Sequence, residues 1–226
     1  MQLVDVQGLA AVTSAVEAAE FSEAALAENT SDAAWLGRKA LAHQAVLDRL
    51  TAAGCPIVPF RFGAIYVDRA HVQRLLVERR DALAAALGRV DGSVELGVKG
   101  TLELARATPA ARGGSDTLSG AEYLRRRKAE LGRDSALEAT ALARARALHS
   151  ALADAAAEAR ANAPREAERE GELPVLNGAY LVRRSDEARF RELVDRLAAE
   201  SAEAGLRLEV TGPWPPYNFV SDEVGR

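Results

Sequence analysis

The chain is expected to fold as an α+β protein of two domains, and three features of its sequence point there. Stretches in which apolar and polar residues alternate, such as Val94, Leu96 and Val98 with Glu95, Gly97 and Lys99, take turns with stretches whose apolar residues recur every three to four positions. The order reads β-α-β-α-β over the first half and β-α-β at the end, which suits helices packed on one face of a largely antiparallel sheet. A polar, aperiodic, turn-rich run, residues 108–120, interrupts this pattern. The expected division is an N-terminal α+β domain over residues 1–107, a linker over 108–120, and a C-terminal α+β domain with long helices over 121–226, ending in a proline and aromatic tail.

Taken in order, the first strand is expected at residues 9–14, where β-branched and small residues alternate. A helix starts near Ala33, with Trp35, Leu36, Ala40, Leu41, Val46, Leu47 and Leu50 at helical spacing, and Gly54 and Pro56 stop it. Residues 57–67, rich in β-branched and aromatic side chains, read as a strand in which Pro59 marks an edge, a bulge or the start. A second helix covers residues 69–87 with Val72, Leu75, Leu76, Leu83 and Leu87 on one side, and a strand follows at 93–99. A further strand would complete a split β-α-β sheet in this half, and none is apparent.

Beyond the linker, Ser119 is placed to cap an alanine-rich helix that runs, with a break at Gly132, to about residue 163. Its apolar stripe is Leu142, Ala145, Leu148, Leu152, Ala156 and Ala159, and the charged run 165–171 reads as solvated. A strand at 175–182, a helix at 185–204 carrying Phe190, Leu193, Val194 and Leu197, and a strand at 206–212 complete the regular part. The chain then continues through Pro213, Trp214, Pro215, Pro216, Tyr217, Asn218 and Phe219 as an extended segment.

Composition narrows the function classes. With 226 residues, 48% hydrophobic and 27% charged, the chain can bury a real core, and general disorder is not expected. A net charge of −4 provides no global positive field, so nucleic acid is not the expected partner. No run reaches the ~18–20 apolar residues needed to cross a bilayer, and the first residues lack a signal peptide's basic and apolar regions, so a cytoplasmic protein without a membrane partner is expected. The single cysteine, Cys55, has no partner thiol and is expected to be a small buried residue.

Catalysis would require convergent titratable groups, and His43, His71 and His149 sit in no nucleophile or metal-ligand spacing. Structural roles are expected for all three, with no catalytic residue, metal or cofactor. The basic run Arg125-Arg126-Arg127-Lys128 would spread around a helix axis and is flanked by Glu122 and Glu130, so a solvated face is expected there. The tail is the most unusual segment. Prolines hold its backbone extended, so the aromatic rings can be offered to a partner at low ordering cost, which makes Trp214, Pro215, Pro216, Tyr217 and Phe219 the candidate partner-binding residues. Packing of the same rings over the protein's own core is the competing reading.

At this point the residues themselves are recognisable. Residues 56–63 (PIVPFRFG), 94–99 (VELGVK), 176–182 (LNGAYLV) and 211–219 (TGPWPPYNF) resemble, in the same order, signature stretches of the gas vesicle protein family GvpF/GvpL. The helix with Trp35, His43, Val46 and Leu47 and the segment Ser119, Gly120, Glu122, Tyr123 and Leu124 match as well. The resemblance implies two α+β domains, the N-terminal one ferredoxin-like. It also implies an assembly factor or minor vesicle component, not an enzyme, that contacts the hydrophobic shell protein GvpA and other gas vesicle accessory proteins and keeps GvpA from aggregating. One departure is that family members begin with a further, tyrosine-containing strand before the stretch matching residues 7–12. It is missing here, which reads as a truncated or misplaced start that exposes a sheet edge. A small-molecule-binding or regulatory pair of α+β domains is the alternative from another class, because fold does not fix function.

Overall fold

The computed structural model describes residues 1–107, 120–164, 166–167 and 169–220. In chain order the elements are β1 (Gln2–Val6), β2 (Leu9–Thr13), a 3-10 turn (Ala18–Glu20), α1 (Glu23–Asn29), α2 (Ala33–Ala52), α3 (Arg69–Glu78), α4 (Arg80–Val90), β3 (Ser93–Glu103) and α5 (Leu104–Ala107). They continue with α6 (Gly120–Ala153), β4 (Glu158–Ala161), β5 (Glu172–Arg183), a second 3-10 turn (Arg184–Asp186), α7 (Glu187–Ala202), β6 (Leu206–Trp214) and α8 (Tyr217–Val220). The chain is thus α+β, as the sequence predicts, with one sheet of order β1-β2 and another of order β4-β5-β3-β6. It forms two compact units, one made of residues 1–94 with the C-terminal residues from Trp214 onward, the other of residues 95–213.

In the first unit, Gln7 and Gly8 both have positive φ, 49° and 84°, and so make the two-residue turn that matches the right-handed twist of a hairpin. This sets β1 antiparallel to β2 with Val6 opposite Leu9 and Val4 opposite Ala11. One face of the hairpin is buried: Val4 and Leu9 pack with Val72 and Leu76 of α3 and Leu83 of α4, and Val6, Ala11, Val58 and Leu87 lean on the same cluster. Each such fully buried aliphatic side chain stabilises by about 1.5–3 kcal/mol, so this cluster holds the hairpin on the helices. Asp32 caps α2 by accepting from the Ala34 N–H, and Asp68 caps α3 by accepting from the His71 N–H at 2.9 Å.

In the second unit the strands and helices follow the order β3-α6-β4-β5-α7-β6, which is the split β-α-β pattern of ferredoxin-like sheets. Glu158 lies opposite Leu181 and Ala161 opposite Gly178 in the antiparallel β4-β5 pair. Glu103 N–H donates to Gly205 O, and Thr211 Oγ1 donates to Gly97 O, so the end of β3 meets the start of β6 and that pair is also antiparallel. Ala145, Leu148 and Leu152 of α6, Phe190 and Val194 of α7, and Tyr180 and Val182 of β5 are buried.

Several expectations need correction. Of the strands in residues 1–107, β1 and β2 pair with each other and β3 pairs with β5 and β6. The ferredoxin-like order runs over residues 93–214, and of the expected linker, residues 108–119 lie outside the described ones. A strand does precede residue 7, namely β1. Residues 57–67 form no strand: Pro56 and Pro59 lack donors, and the chain turns at Gly63, φ 88°, with Ala64 N–H donating to Arg61 O. The helix expected over 69–87 is two helices, since Arg79 leaves helical geometry (φ −108°, ψ 16°) where Glu78-Arg79-Arg80-Asp81 offers no apolar side chain to hold the turn on the core.

The long helix passes Gly132 without a break and ends at Ala153, and residues 158–161 pair as a strand because Ala157 N–H and Asn162 N–H donate to Leu181 O and Asn177 O. Leu142 of its expected apolar stripe is exposed. Cys55 is exposed, directly after the Gly54 turn that ends α2. The tail is not extended throughout, since residues 217–220 form a helical turn.

Candidate functional site

The C-terminal tail and a loop of the first unit meet at one side chain of α2. Near the end of β6 the chain passes the Gly212–Pro213 cis bond, and beyond the strand Pro215 and Pro216 are buried. Tyr217 N–H donates to Pro215 O at 2.7 Å and Phe219 N–H to Pro216 O at 3.1 Å, which starts α8. Phe219 and Val220 are each 1% exposed, and Arg89 of α4 donates from Nη1 to Phe219 O at 2.9 Å. Tyr217 reaches α2, its hydroxyl oxygen 3.4 Å from His43 Nε2. The same nitrogen lies 3.2 Å from Phe60 O, which can only accept, so the tautomer with its hydrogen on Nε2 satisfies that carbonyl. Burial, and secondarily the charge of Asp48, pushes the Tyr217 hydroxyl above its ordinary pKa.

His43 also touches the loop, with its ring edge-on to Phe62 at 6.0 Å between centroids. From Phe62 the loop turns outward, and Ile65, Tyr66 and Val67 are exposed, Val67 by 89%. Exposed apolar side chains this closely spaced are unusual on a surface that meets only water. Trp214, 44% exposed, is the tail's outward ring. On the hairpin, Met1, Leu3 and Val12 with Val46, Arg49 and Leu50 of α2 line an apolar groove of about 410 Å³.

Of the five tail residues singled out in the sequence, the structure therefore keeps Pro215, Pro216 and Phe219 inside, leaves Tyr217 half-buried against His43, and turns Trp214 outward. The loop 62–67 was missed as a surface, because its β-branched and aromatic composition signals a strand equally well. The three histidines have separate partners: His43 as above, His71 with Asp68 at 2.7 Å, and His149 Nδ1 with the buried Tyr180 hydroxyl at 2.8 Å. Hydrogen bonds from His71, side chain first, hold Asp68 below the usual carboxylate range. Burial pushes Tyr180 well above the usual tyrosine range.

In the second unit, Lys99, Arg169, Arg207, Glu172 and Glu209 line a cleft of about 190 Å³ in which Arg207 pairs with Glu172 at 3.1 Å. Among the described residues no cluster of His, Cys, Asp or Glu could hold a metal ion, and no helix is long and apolar enough to cross a membrane. The side chains of Arg125, Arg126, Arg127 and Lys128 lie outside the described ones.

Comparison with known proteins gives a consistent result. The family model described as gas vesicle synthesis protein GvpL/GvpF matches residues 1–221. Gas vesicle protein L of Streptomyces sp. is 40% identical over 220 residues, covering 94% of this chain and 80% of that protein. Gas vesicle protein F2 of Halobacterium salinarum is 25% identical over 226 residues, covering 98% of this chain and 87% of that protein. Among solved structures, the fold is similar to gas vesicle protein GvpF from Anabaena sp. PCC7120, with TM-score 0.59 and 19% identity over 81% of this chain and 74% of that one. GvpF from Microcystis aeruginosa is similar at TM-score 0.56 and 20% identity, covering 81% of this chain and 78% of that one.

Proposed function

The chain belongs to the GvpL/GvpF family of gas vesicle synthesis proteins, and from that premise we propose that it takes part in vesicle assembly by binding the shell protein GvpA and limiting its aggregation. The observation that supports this reading is the exposed apolar loop 62–67, joined through His43 to the tail that carries Trp214. A shell subunit with a water-excluding face would self-associate before incorporation, and a partner with its own apolar surface can cover that face. In this reading Val67, Ile65, Tyr66, Phe62 and Trp214 make contact. The buried Pro215, Pro216 and Phe219 anchor the tail that carries Trp214, Tyr217 meets the loop's neighbour His43, and other accessory proteins of the vesicle are further partners. The relatives are named as gas vesicle proteins and not as enzymes, and the chain is assigned no catalytic role.

The test uses purified chain and GvpA refolded from denaturant. Light scattering should fall when the chain is added, and a complex should elute on gel filtration. Val67→Asp should weaken both effects about thirtyfold or more without changing the melting temperature. Undiminished aggregation with no complex would instead favour the small-molecule-binding reading.

A further inference from the structure

We propose that residues 18–29, the 3-10 turn and α1, form a strap that opens as a unit from Trp35 of α2, with the Glu20–Lys39 ion pair as its catch. The strap is bonded within itself: Asn29 Nδ2 donates to Glu20 O at 3.1 Å, and Ser22 Oγ accepts from the Ala25 N–H at 3.3 Å. None of its described side chains is buried. Its hold on α2 is therefore slight. Apart from the turn that joins α1 to α2, the polar tie among the described residues is Lys39 Nζ to Glu20 Oε2 at 2.6 Å, and these side chains are 34% and 43% exposed. Lys39 also sits 5.5 Å from the Phe21 ring centroid and 5.7 Å from that of Trp35, and Phe21 leans on Trp35 at 5.5 Å. One ammonium thus links the strap's carboxylate and aromatic ring to the indole beneath.

The indole gives the reason to expect opening. Trp35 is 7% exposed, and its Nε1 is buried with no hydrogen-bond partner among the described residues. A buried donor left unsatisfied is costly, and water would satisfy it once the strap lifts. The closed state thus sets one exposed ion pair and two ring contacts against an orphaned N–H, the kind of close balance from which local opening arises. On α2, positions 35, 39, 42, 46 and 50 fall on one side of the helix, and Val46 and Leu50 already line the groove beneath the hairpin. Opening therefore adds Trp35 to that apolar side.

The test follows Trp35 in the full chain. Trp214→Phe leaves it as the single tryptophan for acrylamide quenching, while hydrogen exchange reports on amides 18–29 and 33–52. Glu20→Gln, and separately about 1 M salt, which screens exposed charges to a few ångströms, should each raise the accessibility of Trp35. The expected rise is roughly two- to five-fold, the factor an exposed ion pair contributes. Faster exchange should be confined to residues 18–29. Fluorotryptophan-labelled chain with both tryptophans in place gives the same readout should Trp214→Phe fold poorly. Accessibility unchanged by Glu20→Gln, or exchange rising equally through α2 and the hairpin, would overturn the proposal, because the segment would then be either firmly fixed or part of the core.

Discussion

Phe219→Ala should destabilise the first unit although the residue lies near the far end of the chain. Phe219 is 1% exposed, and its carbonyl takes a hydrogen bond from Arg89, 130 positions earlier. Truncating a fully buried phenylalanine to alanine costs about 3–5 kcal/mol, from lost burial and the cavity left behind. A typical domain has only about 5–15 kcal/mol in total, so the loss would take away a large share of the unit's stability. For a chain of this size each kcal/mol lowers the melting temperature by roughly 2–4 °C, so a fall on the order of 10 °C is expected. Trp214→Ala is the internal comparison, because a ring 44% exposed should cost far less. Thermal melting followed by hydrogen exchange separates the units: α2 and α4 should lose protection in Phe219→Ala, while β5 and α7 keep theirs. A Phe219→Ala chain as stable as the unsubstituted one, or one that loses protection first in β5 and α7, would refute the assignment of the tail to the first unit.

Three further outcomes follow from the second unit and from the tyrosines. A Cβ at Gly178 would overlap the Tyr180 hydroxyl and ring, so Gly178→Ala should cost about 1–3 kcal/mol in urea unfolding, whereas Gly88→Ala in α4, with open space around it and no positive φ, should cost nothing. Tyr180→Phe removes the partner of His149 Nδ1 and should cost roughly 1 kcal/mol by the same assay. Tyr180 and Tyr217 both ionise later folded than unfolded, so their contribution is fully present below the unfolded tyrosine value of about 10 and is lost as pH rises above it. Unfolding titrations between neutral and strongly alkaline pH should show this decline, and the Tyr180→Phe, Tyr217→Phe double variant should flatten it.

The parts of the fold legible in the sequence are those whose pattern and environment agree. β3, β5 and β6 alternate or run apolar because they lie in one four-stranded sheet, and α7 shows Phe190 and Val194 at helical spacing because those residues are buried. β4 was not legible: Glu-Ala-Arg-Ala carries no strand propensity and becomes a strand only through its pairing with β5. β1 was missed because Val4 is its one buried residue, too little to show a period. At the candidate site, the aromatic tail was legible as unusual, but the burial of Phe219 was not, since it depends on a contact with α4 that leaves no local mark. The loop 62–67 failed for the opposite reason. Its composition reports a preference for apolar surroundings and says nothing of whether this chain or another supplies them.

The proposed contact with GvpA is made by the exposed apolar side chains of the loop 62–67 and by Trp214. The most direct measurement is the affinity of purified, folded Val67→Asp and Trp214→Ala chains for GvpA, beside the unsubstituted chain, by titration up to concentrations on the order of 10 μM. The account predicts a saturable complex for the unsubstituted chain. It also predicts a loss of about 2 kcal/mol or more of binding in each variant, a thirtyfold weakening, with melting unchanged in Val67→Asp. Equal binding by all three chains, or none by any of them, would contradict it.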